Sequence, residues 1–229
     1  MTGQYITVFD LAVQYIWPFR TEWSITGRLR AVARPRTFDE ADVVRAARNQ
    51  FHRSGYAGTS LEDLCRVTSL GKGSLYSSFG DKHDLFLRAF DLYCREVVGE
   101  TRADLQGPGP AYPRLLDHIR AVAKATVADQ KRVGCLLAKG SAELSGSNPE
   151  VADRALATFA DLRGALADSI AAAQREGDIA RDADPSRLAA LVLAVLRGIE
   201  AIGKAGADAA FIHDIAEQAI DLLPRTPRR

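Results

Sequence analysis

Residues 59–82 read TSLEDLCRVTSLGKGSLYSSFGDK, and this stretch decides the fold. It contains two short segments whose apolar residues have helical spacing, joined by Thr68-Ser69-Leu70. Ser60 and Asp63 have the spacing of a capping box, which predicts that the first of the two helices begins there. Gly80 is expected to end the second. The sequence therefore predicts two short helices with a tight turn between them.

A further helix is predicted on the N-terminal side of this pair. Asp39 can accept hydrogen bonds from the free backbone N–H groups of a first helical turn. Val43, Ala47 and Phe51 then fall on one face, and Gly55 supplies the positive φ that a helix end commonly requires. These residues predict a first helix that packs behind the short pair.

Helical spacing continues through the rest of the chain. Asp81 is expected to cap a long fourth helix, Lys82 to about Leu105. Almost no segment after Thr37 alternates with period two, so the predicted fold class is all-α, with about nine helices. Five more helices are expected near Tyr112 to Gln130, Gly134 to Leu144, Pro149 to Glu176, Pro185 to Lys204 and Asp208 to Leu223.

The composition excludes several protein classes. The chain has 229 residues, of which 47% are hydrophobic and 26% charged, so it is neither disordered nor fibrous. Its net charge of +1 excludes a histone-like protein that neutralises nucleic acid over its whole surface. The longest apolar run, Leu188 to Leu196, is about half of the roughly 20 residues that a membrane span needs. No membrane partner is expected.

The reactive side chains indicate no enzyme, metal or cofactor. Cys65, Cys94 and Cys135 are odd in number and far apart, so they predict neither a disulfide framework nor a zinc site, and a reducing cytoplasm is the expected location. The four histidines include no H-x-x-x-H pair. The sequence offers no nucleophile motif, no carboxylate constellation and no glycine-rich cofactor loop.

The third predicted helix carries groups that suit DNA. Two short helices with another helix behind them form the unit whose second member can lie in the major groove. Lys72 offers a cation, Ser74 a hydroxyl and Tyr76 a phenol to phosphates or base edges. Gly73 removes a side chain where the start of the helix comes close to its target. Lys82 opens the fourth helix, where free N–H groups favour a phosphate.

Three stretches together are similar to a known family. They are Phe38-Asp39-Glu40, Gly55-Tyr56-Ala57-Gly58-Thr59-Ser60-Leu61 and Gly71 to Lys82, and they resemble the DNA-binding domain of the TetR/AcrR family of bacterial transcriptional regulators. The resemblance implies a homodimer that binds double-stranded operator DNA through its first three helices. It also implies that the C-terminal helices form a ligand pocket and a dimer interface. The positions that it assigns to DNA contact are Thr59, Ser60, Lys72, Gly73, Ser74, Tyr76 and Lys82.

The sequence departs from this family at the turn between the two short helices. Relatives usually have glycine there, whereas this chain has Ser69, which is sterically penalised if its φ is positive. Ser77 replaces an aromatic residue or histidine that relatives often have. The operator preference of a relative is therefore not transferred to this chain.

The predicted ligand-pocket residues are His118, Cys135 and Lys139, each with an alternative interpretation. His118 could be a satisfied core histidine, and Cys135 has an apolar sequence neighbourhood that is unlike a reactive thiol. Lys139 could instead pair with Glu143 on the helix surface, since the two are four residues apart. The last two helices carry wide apolar stripes, which predict a two-helix contribution to the dimer interface.

The interpretation divides the chain into four parts. Residues 1–35 are an extension that is expected to be disordered or to precede the natural start, with a functional arm as the alternative. Residues 36–96 form the helix-turn-helix DNA-binding domain, residues 97–224 the effector-binding and dimerisation domain, and residues 225–229 a frayed basic tail. The predicted function is a repressor that a small-molecule effector releases from a palindromic operator. A dimeric DNA-binding protein without an effector remains the alternative.

Overall fold

The structure, a computed structural model, describes residues 38–226, so the extension predicted for residues 1–35 lies outside the described part of the chain. Residues 38–226 contain nine α-helices and no β-strand, which confirms the all-α class. The helices are α1 Glu40–Ser54, α2 Leu61–Thr68, α3 Lys72–Phe79, α4 Lys82–Gln106, α5 Ala111–Ala128, α6 Leu136–Leu144, α7 Pro149–Glu176, α8 Pro185–Ala205 and α9 Ala209–Asp221.

The predicted caps begin and end the N-terminal helices. Asp39 accepts the N–H of Ala41 at 2.7 Å and starts α1, and Gly55 ends that helix with a φ of 74°. Asp81 starts α4 and forms a reciprocal capping box with Asp84. These local contacts set the directions of α1 and α4, between which the two short helices are positioned.

The first of two hydrophobic clusters joins the N-terminal helices to part of the C-terminal half. Phe51 of α1 packs edge-on against Phe86 of α4, with ring centroids 5.1 Å apart. The same cluster includes α6 and the first half of α7. A Cβ at Gly140 of α6 would lie 2.7 Å from the ring of Phe90, so glycine permits the close approach of α6 to α4. The buried members from α6 and α7 are Leu136, Leu137, Val151, Ala155 and Leu162.

The second cluster lies among α5, the second half of α7, α8 and α9. Its fully buried members include Leu115 and Ile119 of α5, Ile170 of α7 and Ile199 of α8. The end of α4 joins it through Leu105. Helix α4 therefore runs from the first cluster into the second.

The C-terminal end is paired with the loop after α7 as far as the structure describes it, which of the expected frayed tail, residues 225–229, includes only Arg225 and Thr226. Ala180 donates its N–H to the Pro224 carbonyl at 2.8 Å and Thr226 donates its N–H to the Asp178 carbonyl at 3.1 Å. The Arg225 guanidinium also lies 5.2 Å from the centre of the Tyr112 ring. Backbone pairing and a cation–π contact thus hold this segment as far as Thr226.

Candidate DNA-binding surface and ligand cavity

Helix α2 is fixed at its start by a capping box. Asp63 donates its N–H to Ser60 Oγ at 3.0 Å, and Ser60 donates its N–H to the Asp63 carboxylate at 3.1 Å. Hydrogen bonds from the Ser60 side chain, and then from Arg66, lower the pKa of Asp63 to about 2. The Ser60 hydroxyl lies on the exposed surface, although it is already bonded within its own helix end.

The turn between α2 and α3 places Ser69 in a conformation with positive φ, which is sterically unfavourable for serine. Ser69 ends α2 with φ 57° and ψ 25°, in the left-handed region that glycine adopts more readily. The structure therefore confirms the turn but with serine at the strained position. Leu75 and Phe79 are buried behind it and anchor α3.

Helix α3 presents its polar residues to solvent. Lys72, Ser74 and Tyr76 are exposed, and Tyr76 is 48% exposed despite its aromatic ring. Apart from its chain neighbours and the backbone of its own helix, no described atom lies within 4 Å of a Cβ built at Gly73, so the helix start is open to an approaching surface. The predicted DNA-contact residues of α3 are therefore all accessible from solvent.

Lys72 is not a free cation in this structure. Its Nζ lies 2.7 Å from the carboxylate of Glu62 on α2. This hydrogen bond raises the pKa of Lys72 and lowers the pKa of Glu62. The Lys72 ammonium is thus held at the start of α3 by the Glu62 carboxylate, and both side chains are exposed.

The predicted contacts flanking the helix pair have different environments. Thr59 is fully buried, and its hydroxyl donates to the Gly55 carbonyl at 2.7 Å, so the side chain lies behind the surface that α3 presents. Lys82 lies over the ring of Tyr56, with Nζ 4.3 Å from the ring centre, and partial burial lowers its pKa. Six of the seven predicted positions are therefore on the exposed side, and Thr59 is not.

A cavity of about 370 Å³ lies in the C-terminal half. It is bounded by α4, α5, α8 and the loop between α5 and α6, and the end of α1 reaches it through His52. His118 and Cys135, two of the residues proposed from the sequence for a ligand pocket, are among its lining residues. Its other polar or charged lining residues are Tyr93, Glu100, Thr101, Asp104, Thr126, Asp129, Arg132, Arg197, Glu200 and Lys204.

Several cavity side chains are already partnered. His118 Nδ1 lies 3.0 Å from the Asp104 carboxylate. The Tyr93 hydroxyl donates to Cys135 Sγ at 3.4 Å, and burial raises the pKa of Tyr93. Arg197 and Glu200 form an ion pair at 2.9 Å, with burial raising the pKa of Glu200. Sequence reasoning missed Tyr93, Arg197 and Glu200, because their spacing predicted only helix packing.

Lys139 is bonded to the end of α1. It is not among the residues that line the cavity, and although Glu143 attracts it electrostatically, no ion pair joins the two within residues 38–226. Its Nζ donates to the carbonyl of His52 and, at 3.4 Å, to that of Arg53, so it caps the end of α1. Burial and the nearby Lys204 lower the pKa of Lys139.

Glu143 contacts the loop that leads into the DNA-binding helices. Its carboxylate accepts the N–H of Tyr56 at 2.8 Å and that of Ala57 at 3.1 Å. At the other end of α6, His52 Nε2 lies 2.6 Å from the Gly134 carbonyl oxygen. We call these contacts of Gly134, Lys139 and Glu143 with residues 52–57 the α6 clamp. They connect the cavity wall with the segment before α2.

Comparison with known proteins agrees with this arrangement. A family profile described as "Bacterial regulatory proteins, tetR family" matches residues 43–89, and one described as "Tetracyclin repressor-like, C-terminal domain" matches residues 111–219. The two matches cover the short helix pair and the cavity-forming half. The chain belongs to the TetR/AcrR family of transcriptional regulators. DNA binding and regulation of transcription are therefore its activity.

Relatives in this family match most of the chain. The transcriptional repressor ComR of Escherichia coli is 25% identical over 83% of this chain and 91% of its own length. The regulator YezE of Bacillus subtilis is 26% identical over 84% of this chain and 100% of its own length. A solved structure of the TetR-family regulator CifR, a cysteine mutant complexed with operator DNA, is 26% identical over 83% of this chain and 100% of its own, with a TM-score of 0.71.

The described residues contain neither a metal cluster nor a membrane span. Between residues 38 and 226, no group of three or more His, Cys, Asp or Glu side chains could hold a metal ion. No described helix is both long enough and apolar enough to cross a bilayer.

Proposed function

We propose that this TetR-family chain is a repressor that binds a palindromic operator as a homodimer and is released by a small-molecule effector. The observation that carries the proposal is the α6 clamp. One short helix begins at Cys135 in the cavity wall and ends beside the loop that precedes α2. A molecule in the cavity can therefore act on the DNA-binding helices through direct contacts. ComR, a relative over most of this chain, is named as a repressor.

On the DNA side, α3 is the proposed recognition helix. Lys72, Gly73, Ser74 and Tyr76 lie on its accessible face, and Ser60 and Lys82 lie at the flanking helix starts. The hydroxyls and cations suit phosphates, while Lys72 and Tyr76 can also reach base edges. Residues 36–96 are proposed as the DNA-binding domain and residues 97–224 as the effector-binding and dimerisation domain.

On the effector side, the cavity is the proposed ligand pocket, with His118 and Cys135 among its walls. Helix α4 contributes a second connection, because it begins at Lys82 beside the recognition helix and lines the cavity from Tyr93 to Asp104. An effector releases DNA only by the difference in its affinity for the two conformations, typically about 1–3 kcal/mol for coupled sites. In the second conformation, α4 and α6 would be shifted and the spacing of the two recognition helices changed. An effector that binds this conformation more tightly would therefore release the DNA.

The proposed dimer interface lies on α8 and α9. Leu191 of α8 is 54% exposed and Phe211 of α9 is 51% exposed, although both are large apolar residues. Small residues Ala194, Gly198 and Ala201 lie on α8 and permit a close helix–helix approach. A dimer also suits DNA, because one recognition helix reads few base pairs and two half-sites need a two-fold partner.

The proposal is tested by fluorescence anisotropy with the full chain. The probe is DNA from immediately upstream of its own gene, against a scrambled duplex, at about 50 mM and about 200 mM salt. Lys72→Ala and Tyr76→Ala should each lower specific affinity about tenfold. Lys124→Ala, an exposed lysine on α5, should leave affinity unchanged. Equal binding to both duplexes, or equal loss in the Lys124 control, would contradict recognition through α3.

A further inference from the structure

The charged side chains of the cavity are arranged with opposite signs at its two ends. Glu100 and Asp104 lie on the last two turns of α4, and Asp104 pairs with His118 near the middle of α5. Arg132 and Lys204 lie at the other end, where the loop after α5 meets the end of α8. Glu100 is seven residues beyond Tyr93 on α4, or about 10 Å along the helix axis, and Tyr93 contacts His52 at the basic end.

The two cations at the basic end have no acidic partner among residues 38–226. Arg197, the other arginine in the wall, is paired with Glu200 at 2.9 Å, but no described carboxylate lies within ion-pair distance of Arg132 or Lys204. Asp129 is nearby, yet its carboxylate accepts the backbone N–H of Gly134 at 2.8 Å, and such loop hydrogen bonds lower its pKa. Asp129 thus stabilises the loop and leaves both cations unpaired.

Two glycines with positive φ make room for these cations. A Cβ at Gly206 (φ 101°) would lie 2.6 Å from Nη1 of Arg132, so the guanidinium rests directly on this glycine. A Cβ at Gly134 (φ 66°) would lie 3.1 Å from Cδ of Lys204. A larger residue at either position would therefore displace one of the two cationic side chains.

Arg132 is an exposed residue that lies between two hollows of the surface. It lines both the main cavity and a second hollow of about 270 Å³ on its other side. One part of the cavity wall is apolar and is formed by Val97, Ala121, Val122 and Ala125. The cavity therefore offers a ligand both cationic groups and an apolar surface.

We propose that the cavity takes an organic anion, with its carboxylate or sulfonate held between Arg132 and Lys204 and its apolar body against Val97, Ala121 and Val122. This inference rests on the proposed role of the cavity as the effector site. Two unpaired cations gain charge-assisted hydrogen bonds from one anionic group, which a neutral ligand of the same shape cannot supply. The bound anion also lies beside Gly134, to which His52 of α1 is bonded.

The test compares two fluorescent probes with one ring system on the full-length protein. Anilinonaphthalene sulfonate carries the anionic group, and phenylnaphthylamine is the same body without it. Anilinonaphthalene sulfonate should bind about tenfold more tightly. Arg132→Gln and Lys204→Gln should each remove most of that preference and leave phenylnaphthylamine affinity unchanged. Lys131→Gln, an exposed neighbour that does not line the cavity, is the matched control.

A blocking variant separates this inference from the proposed function. Ala121→Trp fills the apolar part of the cavity and should weaken both probes, with unchanged helical content by circular dichroism. If both probes bind the wild-type protein equally, or if neither glutamine variant weakens the sulfonate, the anion class is wrong while the effector site stands. If neither probe binds, or if Ala121→Trp changes neither affinity, the cavity is not a ligand site. The proposed anion class and the proposed release by an effector in this cavity then both fail.

Discussion

Glu143 of α6 accepts the backbone N–H of Tyr56 at 2.8 Å, across 87 positions of sequence. Because Tyr56 precedes α2, this bond fixes the DNA-binding helices against the cavity-forming half. Glu143→Ala should lower the free energy of unfolding by about 1 kcal/mol and weaken operator binding, because two N–H groups lose their acceptor. Glu143→Gln, which keeps one side-chain acceptor oxygen, should recover part of the affinity. Asp153→Ala, at an exposed position of α7, is the control, and an equal effect there would contradict a specific role for Glu143.

The strained turn predicts a stabilising substitution. Ser69 has a φ of 57°, so Ser69→Gly should raise the free energy of unfolding by about 0.5–1 kcal/mol. Operator binding should be retained, since the backbone conformation is unchanged. Ser78→Gly, inside α3, should have the opposite sign because glycine weakens a helix interior. Urea denaturation of the three proteins measures both effects, and a destabilised Ser69→Gly protein would mean that the serine side chain itself supports the turn.

The Glu62–Lys72 pair predicts a gain in DNA affinity. Phosphate must replace the Glu62 carboxylate at Lys72 Nζ, so Glu62→Gln should raise affinity about two- to fivefold. It should also steepen the dependence of affinity on salt, because Lys72 becomes available to a phosphate. Anisotropy titrations at several salt concentrations measure both quantities.

A double-mutant cycle identifies the cause of that gain. In a Lys72→Met background, Glu62→Gln should have little effect if it acts by releasing Lys72. A gain of equal size in that background would show general repulsion between the acid and DNA, and would contradict competition for Lys72.

Burial of His52 predicts a pH-dependent stability. Burial lowers the pKa of His52, with Lys139 and Arg48 lowering it further and Gly134 and Asp129 opposing them. The folded state therefore takes up its proton at lower pH than the unfolded state does. The contribution of neutral His52 to the free energy of unfolding is complete above about pH 6.5, the pKa of the unfolded state. It is lost as the pH falls toward the lower pKa of the folded state.

The measurement is the melting temperature of the wild-type protein and His52→Gln between about pH 7.5 and about pH 5.5. Glutamine can still donate to the Gly134 carbonyl but does not titrate, so the variant should lose less stability on acidification. His213→Gln, at an exposed position of α9, is the control. Parallel pH curves for wild type and His52→Gln would contradict the prediction.

The apolar faces of α8 and α9 predict the oligomeric state. Leu191→Glu with Phe211→Glu should convert the protein to a monomer in light scattering, because charges would be buried across the interface. Operator affinity should fall with it, since a monomer occupies one half-site. Ala103→Glu, at an exposed position of α4, should leave the mass unchanged. A wild-type protein that is already monomeric would overturn the proposed interface.

Sequence alone predicted the helices well, because their ends are set by local contacts. Ser60 bonds a residue three positions away, and Asp39 one two positions away, so the capping signals are visible in short windows. The strain at Ser69 was anticipated from the resemblance, because relatives usually have glycine at this turn and serine is penalised if its φ is positive. The all-α fold and the DNA-binding helix pair followed from these signals.

The sequence was misleading where partners are distant. Lys139 and Glu143 are four residues apart on α6 and read as a surface pair, but their partners lie 86 or 87 residues away on the α1–α2 segment. The resemblance assigned Thr59 to DNA contact, whereas its buried hydroxyl donates to the Gly55 carbonyl. Tertiary packing decides such contacts, and local spacing carries no information on it.

The shared hydrophobic cluster limits how this regulator can be taken apart. Leu136, Leu137 and Val151 are buried in one cluster with Phe51 and Phe86. The hydrophobic core of the DNA-binding domain therefore extends beyond α4 into α6 and α7. A chimera that transplants only residues 36–96 onto another scaffold would expose apolar surface on both fragments. A chimera that keeps this cluster intact must include α6 and the first half of α7 together with the DNA-binding helices. The DNA-binding domain of this protein is therefore not an independent folding unit.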